Sequence, residues 1–431
     1  MITKRRTSAA LAALLAATLA GCATMPGAGG AKGAQADVSS IEMADPAAMG
    51  FDAAKLDDIR TALNADVASG KIPGAYLVIG RHGKVVFNEG FGVQGPGQSR
   101  SMGDDTIFRV FSMTKPIVTV TAMTLVEEGK LSVDDPVSKY LPEFANMQVM
   151  QKDGTLTPAT QPMLIRHLMS HTSGLIYSFI QPNAPISKVW VEGGEMRTDL
   201  PAKDWAREVV AKLPLVAEPG TAWNYSHSTD VLGAVIEVAT GQSLDVAVKE
   251  RVTGPLGMTD TDFFQPTSKS DRFAQSKDAG ASISGASMYY DYTKATPYMQ
   301  GGGGLSSTPE DYLRFVLMLE NDGEYRGVRI LKPETLARMR QDETTPQIRK
   351  NGLFFPGPGM GFGLGFSLVL DDTVAPPKPG TGTFSWNGIA GTEFWVDPKN
   401  DVIMEFFIQD RALLGEYQRK NRKWIYDALV Q

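Results

Sequence analysis

The hexapeptide Phe111-Ser112-Met113-Thr114-Lys115-Pro116 decides how the rest of this 431-residue chain is read. Serine is a weak nucleophile until a neighbour takes its proton, and helical positions three apart share a face. A helix starting near Ser112 therefore sets the Lys115 amine beside the serine hydroxyl. A serine at a helix N-terminus also gains from unpaired N–H groups and the positive dipole end. Those groups can hold the oxyanion formed when an acyl carbon is attacked. Ile117, Val120, Met123 and Leu125 supply the apolar positions of the helix, and Gly129-Lys130 its stop. Ser112 thus reads as an acyl-accepting nucleophile and Lys115 as its proton-managing partner. The pattern is short and occurs once in the chain, so the other parts of a site must come from distant sequence.

Just upstream, Ala75 to Gly80 and Lys84 to Asn88 read as two strands joined by a turn at Arg81-His82-Gly83, with His82 a turn residue rather than a ligand. Before them, Phe51, Leu56, Ile59, Leu63 and Val67 recur at helical spacing up to Gly70. From Leu131 to about Met339 the pattern is mostly helical. One short helix, marked by Leu164, Ile165, Leu168 and Met169, closes at His171-Thr172-Ser173-Gly174. His167 and His171 are four apart but have no third ligand nearby, so they read as cap and packing residues and no metal is expected. Tyr177 to Pro201 reads as a long loop whose Tyr177, Phe179 and Trp190 suit a pocket wall. Gly301 to Gly304 precedes Thr308, Pro309 and Asp311, which fit an N-cap, a first-turn proline and a capping box. No Lys-Ser/Thr follows the glycines, so they read as a close-packed turn rather than a phosphate cradle, and no cofactor is expected. After about Asn351 strands return, over Gly361 to Leu370, Thr383 to Val396 and Asp401 to Ile408, with a hairpin turn at Asp397 to Asn400 and a last helix over Leu413 to Leu429.

Strands at both ends and helices between them predict an α+β fold, an antiparallel sheet built from both termini and flanked by helices, with a mostly helical inserted domain. The expected parts are α/β segments at 44–130 and 346–431 and a helical segment at 131–345. The N-terminus reads differently. Lys4-Arg5-Arg6 precedes an apolar run from Ala9 to Ala20, too short to span a membrane and suited to a signal peptide. Leu19-Ala20-Gly21-Cys22 resembles the bacterial lipoprotein cleavage box. That resemblance implies a signal peptide over 1–21, lipidation of Cys22, a Gly/Ala-rich tether over 22–43, and an exported lipoprotein facing the periplasm, held to the outer membrane by this lipid alone. Cys22 is the single cysteine, which excludes a disulfide within the chain. The net charge of −6, without a long basic run, argues against a nucleic-acid partner.

Two more stretches complete the candidate site. Glu218-Pro219-Gly220-Thr221-Ala222-Trp223-Asn224-Tyr225-Ser226 is a turn opening into a helix with Val231, Leu232, Val235 and Ile236 on its apolar face. Beside a lysine cation the Tyr225 phenol can lose its proton more readily and act as a base; taken alone it also reads as a packing residue at a domain seam. Ser385-Trp386-Asn387-Gly388-Ile389-Ala390-Gly391 lies on an expected strand whose glycines allow close backbone approach. Its N–H groups suit a second oxyanion donor, or the glycines mark an ordinary bulge.

In this order and over this span, from about Phe51 to the C-terminus, these elements resemble the serine β-lactamase and penicillin-binding-protein superfamily. The match is to its class C-like branch and, within it, to the family VIII carboxylesterases. Shared stretches include His171-Thr172-Ser173-Gly174-Leu175, Tyr225-Ser226 with Asp230-Val231-Leu232-Gly233, the glycine run to Leu305, and Trp386 to Asp397. The resemblance implies a β-lactamase/transpeptidase-like fold, Ser112 as nucleophile, Lys115 as its partner, Tyr225 as general base, and an oxyanion hole from the N–H groups of Ser112 and Ile389. The chain also departs from class C enzymes. His227 replaces the asparagine of Tyr-x-Asn, and Trp386-Asn387-Gly388 replaces Lys-Thr-Gly. Losing that lysine removes the charge that attracts a β-lactam carboxylate, and the indole adds apolar surface. Trp386, Asn387, Gly388, His227, Tyr177 and Phe179 are therefore expected around a small neutral carboxylic ester, or an amide. A β-lactamase or D-alanyl-D-alanine carboxypeptidase is the alternative, and a catalytically idle ligand-binding lipoprotein a third reading. No G-x-S-x-G occurs, which argues against an α/β-hydrolase.

Overall fold

A seven-stranded antiparallel sheet joins the two ends of the chain. In the computed structural model, which describes residues 41–278, 282–283, 286–287, 291–374 and 379–430, its strands are β1 (Gly74–Arg81), β2 (Lys84–Gly92), β3 (Met360–Phe362), β4 (Ser367–Val369), β5 (Phe384–Asn387), β6 (Glu393–Asp397) and β7 (Val402–Phe407). They lie in the order β3-β4-β5-β6-β7-β1-β2. The central seam pairs β7 with β1, Tyr76 opposite Phe407, so the last strand in sequence lies against the first. The signal peptide, Cys22 and most of the expected tether lie outside the described residues.

Both faces of the sheet are covered, which is why β1 and β7 read as near-continuous apolar runs rather than strict alternations. Ala75, Leu77, Ile79, Met404 and Phe406 point to one side, against the helices α1 (Ala53–Ala68) and, at the other end of the chain, α5 (Leu414–Ala428). Asp52 caps α1 by accepting from the Ala54 and Lys55 N–H groups, and Leu56, Ile59 and Leu63 form its buried stripe. Burying each such side chain stabilises the fold by about 1.5–3 kcal/mol. Tyr76, Val78, Ile403 and Phe407 point to the other side, into the core shared with α2 (Thr114–Glu127), α3 (Ser228–Thr240) and α4 (Pro309–Glu320).

His82 (φ 55°) and Gly83 (φ 70°) turn β1 into β2, as the sequence predicts. Three expected elements differ. Gly361 to Leu370 is two strands with a reversal between Phe362 and Ser367, where Gly365 takes φ 87°. Thr383 to Val396 is likewise two strands, β5 and β6, separated by a turn over Gly388 to Thr392 in which the Gly388 N–H donates to the Thr392 carbonyl at 2.7 Å. Tyr177 to Pro201 is not all loop. It holds a 3-10 turn, Ser178–Ile180, and a helix, Pro185–Glu192, that starts on its proline and buries Ile186 and Trp190. The capping box at α4 is half formed. Thr308 accepts from the Asp311 N–H at 3.1 Å, while the Asp311 carboxylate turns to the Asp260 N–H and to the Thr261 hydroxyl.

One position breaks the apolar pattern. Glu405 is fully buried on β7 between Ile403 and Phe407, and neither carboxyl oxygen has a hydrogen-bond partner among the described residues. Burial pushes this carboxyl well above the usual carboxylate range and so favours its neutral form. A raised folded-state value in an acid makes the unfolded chain bind fewer protons, so stability falls as pH rises above the unfolded carboxylate value. Glu405→Met should therefore raise the thermal midpoint, by the equivalent of roughly 1–4 kcal/mol at pH 8 and by less at pH 5; melts at the two pH values check both the sign and the difference.

Candidate active site

Ser112 sits where the sequence puts it, at the start of α2. Phe111–Met113 forms a 3-10 turn that runs directly into the helix. Phe111 takes φ 44°, a left-handed conformation that costs a side-chain-bearing residue about 1–3 kcal/mol and must be held by its surroundings. Two neighbours hold it. The Val110 N–H donates to the Leu305 carbonyl at 3.2 Å, and the Leu305 N–H to the Thr114 hydroxyl at 3.0 Å, which binds the nucleophile stretch to the segment after the glycine run. On the opposite side the turn between β5 and β6 presses on the Val110 carbonyl. A Cβ on Gly388 would collide with that carbonyl and with Thr392, so only glycine fits. Gly388 therefore supports the site from beneath and is not part of the cavity wall, whereas Trp386, Asn387 and Ile389 are.

One turn into the helix, Lys115 brings its Nζ to 3.2 Å from Ser112 Oγ. The amine is buried; it donates to the Gly302 carbonyl at 2.5 Å and lies 4.5 Å from the centre of the Tyr225 ring and 5.2 Å from that of Tyr177. Gly302 belongs to the expected close-packed turn. Its N–H donates to Asp230 Oδ1 at 2.8 Å, and a Cβ there would lie 2.7 Å from Asp230 Oδ2 and collide with the Tyr177 hydroxyl. The glycine run is thus a place of close backbone approach.

Tyr225 stands three residues before α3 and its ring meets Trp386 at 5.4 Å, Tyr177 at 5.4 Å and His171 at 4.7 Å. Serine and lysine, from one stretch, and tyrosine, from a distant one, therefore converge. Their electrostatics invert the expectation that a lysine cation activates the phenol. Burial pushes the Tyr225 phenol up; the Ser112 hydroxyl and the Trp386 indole are near enough to oppose this in part but make no well-formed hydrogen bond to it. Burial pushes the Lys115 amine down to about 7, against the pull of Asp230. At neutral pH the group ready to accept a proton is the amine, and the phenol is a donor.

The cavity over Ser112 holds about 500 Å³. Tyr177, Phe179, Tyr225, Phe355, Trp386 and Ile389 give it an apolar lining, with Asn387, Gln300 and Thr198 as polar points. Among its described lining residues there is no lysine or arginine. The Ile389 N–H donates to no acceptor among the described residues, which leaves it free for a substrate oxygen. Trp190, expected in the wall, is fully buried behind it and donates to the Pro214 carbonyl. His227 lines the cavity, but both ring nitrogens face carboxylates, Asp230 at 2.9 Å and Glu195 at 3.5 Å. Sequence reasoning missed Glu195, Gln300, Tyr298 and Phe355; only the aromatic pair Phe354-Phe355, set among glycines and prolines, carries a local signal. His167 and His171 behave as cap and packing residues. The Leu164 N–H donates to His167 Nδ1 at 3.2 Å, and His171 packs between Trp223, Tyr225 and Phe362.

The family model described as Beta-lactamase matches residues 59–426. The chain belongs to the Beta-lactamase family. Similar members include Protein Rv1367c of Mycobacterium tuberculosis, 36% identical over 369 residues that span 82% of this chain and 90% of that one. Esterase EstB of Burkholderia gladioli is 32% identical over 376 residues, 82% of this chain and 90% of its own. Among solved structures, EstCE1, a hydrolase with promiscuous acyltransferase activity, superposes with a TM-score of 0.73 at 29% identity, over 86% of this chain and 98% of its own. The sheet of both termini and the intervening helices are thus the β-lactamase/transpeptidase-like fold.

Gly302→Ala should reduce ester turnover about a hundredfold or more while the protein still folds, because the added methyl displaces the peptide that positions Lys115, and small displacements of a reacting group have effects of that size. Steady-state rates with p-nitrophenyl butyrate, beside a thermal melt, check it.

Proposed function

We propose that this enzyme is a serine carboxylesterase that works through an acyl-enzyme on Ser112. The single observation that carries the reading is the 3.2 Å contact between Ser112 Oγ and the fully enclosed Lys115 amine, whose pKa burial pushes down to about 7. The neutral amine takes the hydroxyl proton as Ser112 attacks the ester carbonyl. The N–H groups of Ser112 and Ile389 receive the developing oxyanion. Tyr225, kept protonated, passes a proton to the departing alcohol and regains it from the water that cleaves the acyl-enzyme, and Lys115 returns its proton to the Ser112 oxygen as the acid leaves.

An ester is favoured over a β-lactam by the cavity wall. Trp386 stands where class C β-lactamases carry the lysine of Lys-Thr-Gly; the described lining residues include no lysine or arginine, and both ring nitrogens of His227 already face carboxylates, so a substrate carboxylate would be desolvated without a partner. The names of EstB and of EstCE1 support the same reaction class. Ser112→Ala should lower p-nitrophenyl butyrate hydrolysis roughly 10⁴-fold or more. The parent enzyme should prefer that ester to nitrocefin by kcat/KM, and a tenfold preference for nitrocefin, about 1.4 kcal/mol in barrier, would make the protein a β-lactamase instead.

For location, the reading is an exported bacterial lipoprotein facing the periplasm, anchored through Cys22. It is supported by the basic start, the apolar run and the Leu19-Ala20-Gly21-Cys22 box. Cys22→Ser should release the enzyme from the membrane fraction to the soluble one, as fractionation of expressing cells would record.

A further inference from the structure

His227 is enclosed by groups that fix its charge. Its Nδ1 lies 2.9 Å from Asp230 Oδ2 and its Nε2 lies 3.5 Å from Glu195 Oε2. Histidine and both carboxylates are almost completely buried. A neutral imidazole carries one N–H and one lone pair, so one of its nitrogens would turn a lone pair on a carboxylate in a medium that screens poorly. Only the imidazolium presents an N–H to both carboxylates, in a hydrogen bond to Asp230 and a longer charge contact, without a well-formed hydrogen bond, to Glu195. The ring walls agree. The Trp190 ring lies parallel to the imidazole at 5.9 Å, with Trp205 at 5.3 Å and Tyr177 at 4.3 Å, aromatic faces and edges that suit a cation.

This triad leads to Lys115 through one residue, Gly302. Asp230 Oδ1 accepts from the Gly302 N–H, and the Gly302 carbonyl accepts from the Lys115 amine. The Tyr177 hydroxyl also donates to Asp230 Oδ2 at 3.1 Å, and Ser178 backs Glu195. From the other side Lys115 faces Ser112, Tyr225 and His171, and His171 is held neutral by burial and by the lysine charge.

We propose that His227 is a positioning residue rather than a substrate-binding one: fixed as an imidazolium between Asp230 and Glu195, it offsets the Asp230 charge behind the Gly302 backbone that holds the Lys115 amine. Asp230 can then order Gly302 without adding an uncompensated negative charge beside the lysine. Burial opposes the protonated imidazole, but the hydrogen bond to Asp230 and the contact with Glu195 outweigh it and raise His227 from the ordinary imidazole value. The same hydrogen bond is the chief influence holding Asp230 low against burial. Without the imidazolium, Asp230 pulls harder on Lys115, which keeps its proton to higher pH. The proposal rests on the reading of Ser112 as nucleophile and Lys115 as base.

The test is the pH dependence of kcat/KM for p-nitrophenyl butyrate. The parent enzyme should gain activity as pH rises through about 7, where Lys115 loses its proton. His227→Asn keeps a donor toward Asp230 but not the charge; its acidic limb should move up by a pH unit or more, with activity returning as pH rises. The double variant His227→Asn/Asp230→Asn removes both charges and should bring the limb back down. A fall by the same factor at every pH, with the limb in place, would mean a purely structural role and overturn the proposal. A second measurement needs no variant enzyme to be active. Nitrogen-15 spectra of the intact parent protein should show one of its four histidines protonated on both nitrogens at pH 8, identified by its loss in His227→Asn. Four neutral histidines at pH 8 would also overturn it. Failure of the underlying reading is separable: Ser112→Ala would keep ester hydrolysis while the imidazolium signal stayed unchanged.

Discussion

Gly302 is gripped on both sides of its Cα, its N–H by the Asp230 carboxylate and its carbonyl by the Lys115 amine. That grip requires a residue without a side chain, a carboxylate buried behind it and a lysine buried in front of it. The last requirement is energetically severe. An amine that ionises near 10.5 in the unfolded chain and near 7 in the folded one lowers stability at pH 7 by about 4 kcal/mol. The sign follows from proton counting. Between the two values the unfolded chain binds more protons, so the penalty is complete below the folded value and fades as pH rises toward the unfolded one. A cost on the scale of a large part of a domain's net stability is tolerated only where the neutral amine is useful, as it is 3.2 Å from a serine hydroxyl.

The rest of the architecture keeps this arrangement from relaxing. Phe111 stays left-handed because the backbone on each side of it is already committed. Leu305 ties Val110 and Thr114 to the glycine turn, and the turn between β5 and β6 lies against the Val110 carbonyl with no room for more than a hydrogen at Gly388. Since β6 continues into β7, and β7 pairs with β1, the start of the nucleophile helix is referenced to the central seam of the sheet. A sheet assembled from both chain ends therefore gives the middle of the chain a fixed floor on which to place Ser112.

What the sequence shows and hides divides along the range of the interactions. The Ser112–Lys115 pair follows from helical spacing alone, and close approach at Gly301 to Gly304 follows from glycine's lack of a side chain; both are local and both were legible. The reversal at Gly388 to Thr392 was not, because Thr383 to Val396 is apolar enough on both sides to read as one strand. The helix Pro185–Glu192 was hidden in a segment whose aromatics suggested a pocket wall, although Pro185 at its start was a usable signal. His227, Asp230 and Glu195 are harder still. Only the first two lie within a helical turn, and Glu195 meets them through tertiary packing that no periodicity reports. The phenol of Tyr225 marks the same boundary: its identity was legible from its place in the chain, but whether it is base or acid depends on how deeply it and the lysine are buried.

Burial also connects the base to the substrate. A cavity dry enough to strip the proton from Lys115 is one in which any unpaired charge is costly. A substrate carboxylate entering it would find Asn387, Gln300 and Thr198, but among the described lining residues no lysine or arginine. Opening the wall to water would ease that cost and at the same stroke return the lysine to its cationic state, removing the base. A lysine or arginine added to the wall would accept the carboxylate and, by repelling the Lys115 proton, would push the amine further down, toward a weaker base. The indole of Trp386 does neither. It keeps the medium apolar without adding charge, so the preference for a neutral ester and the availability of a neutral amine are two results of the same low-dielectric enclosure.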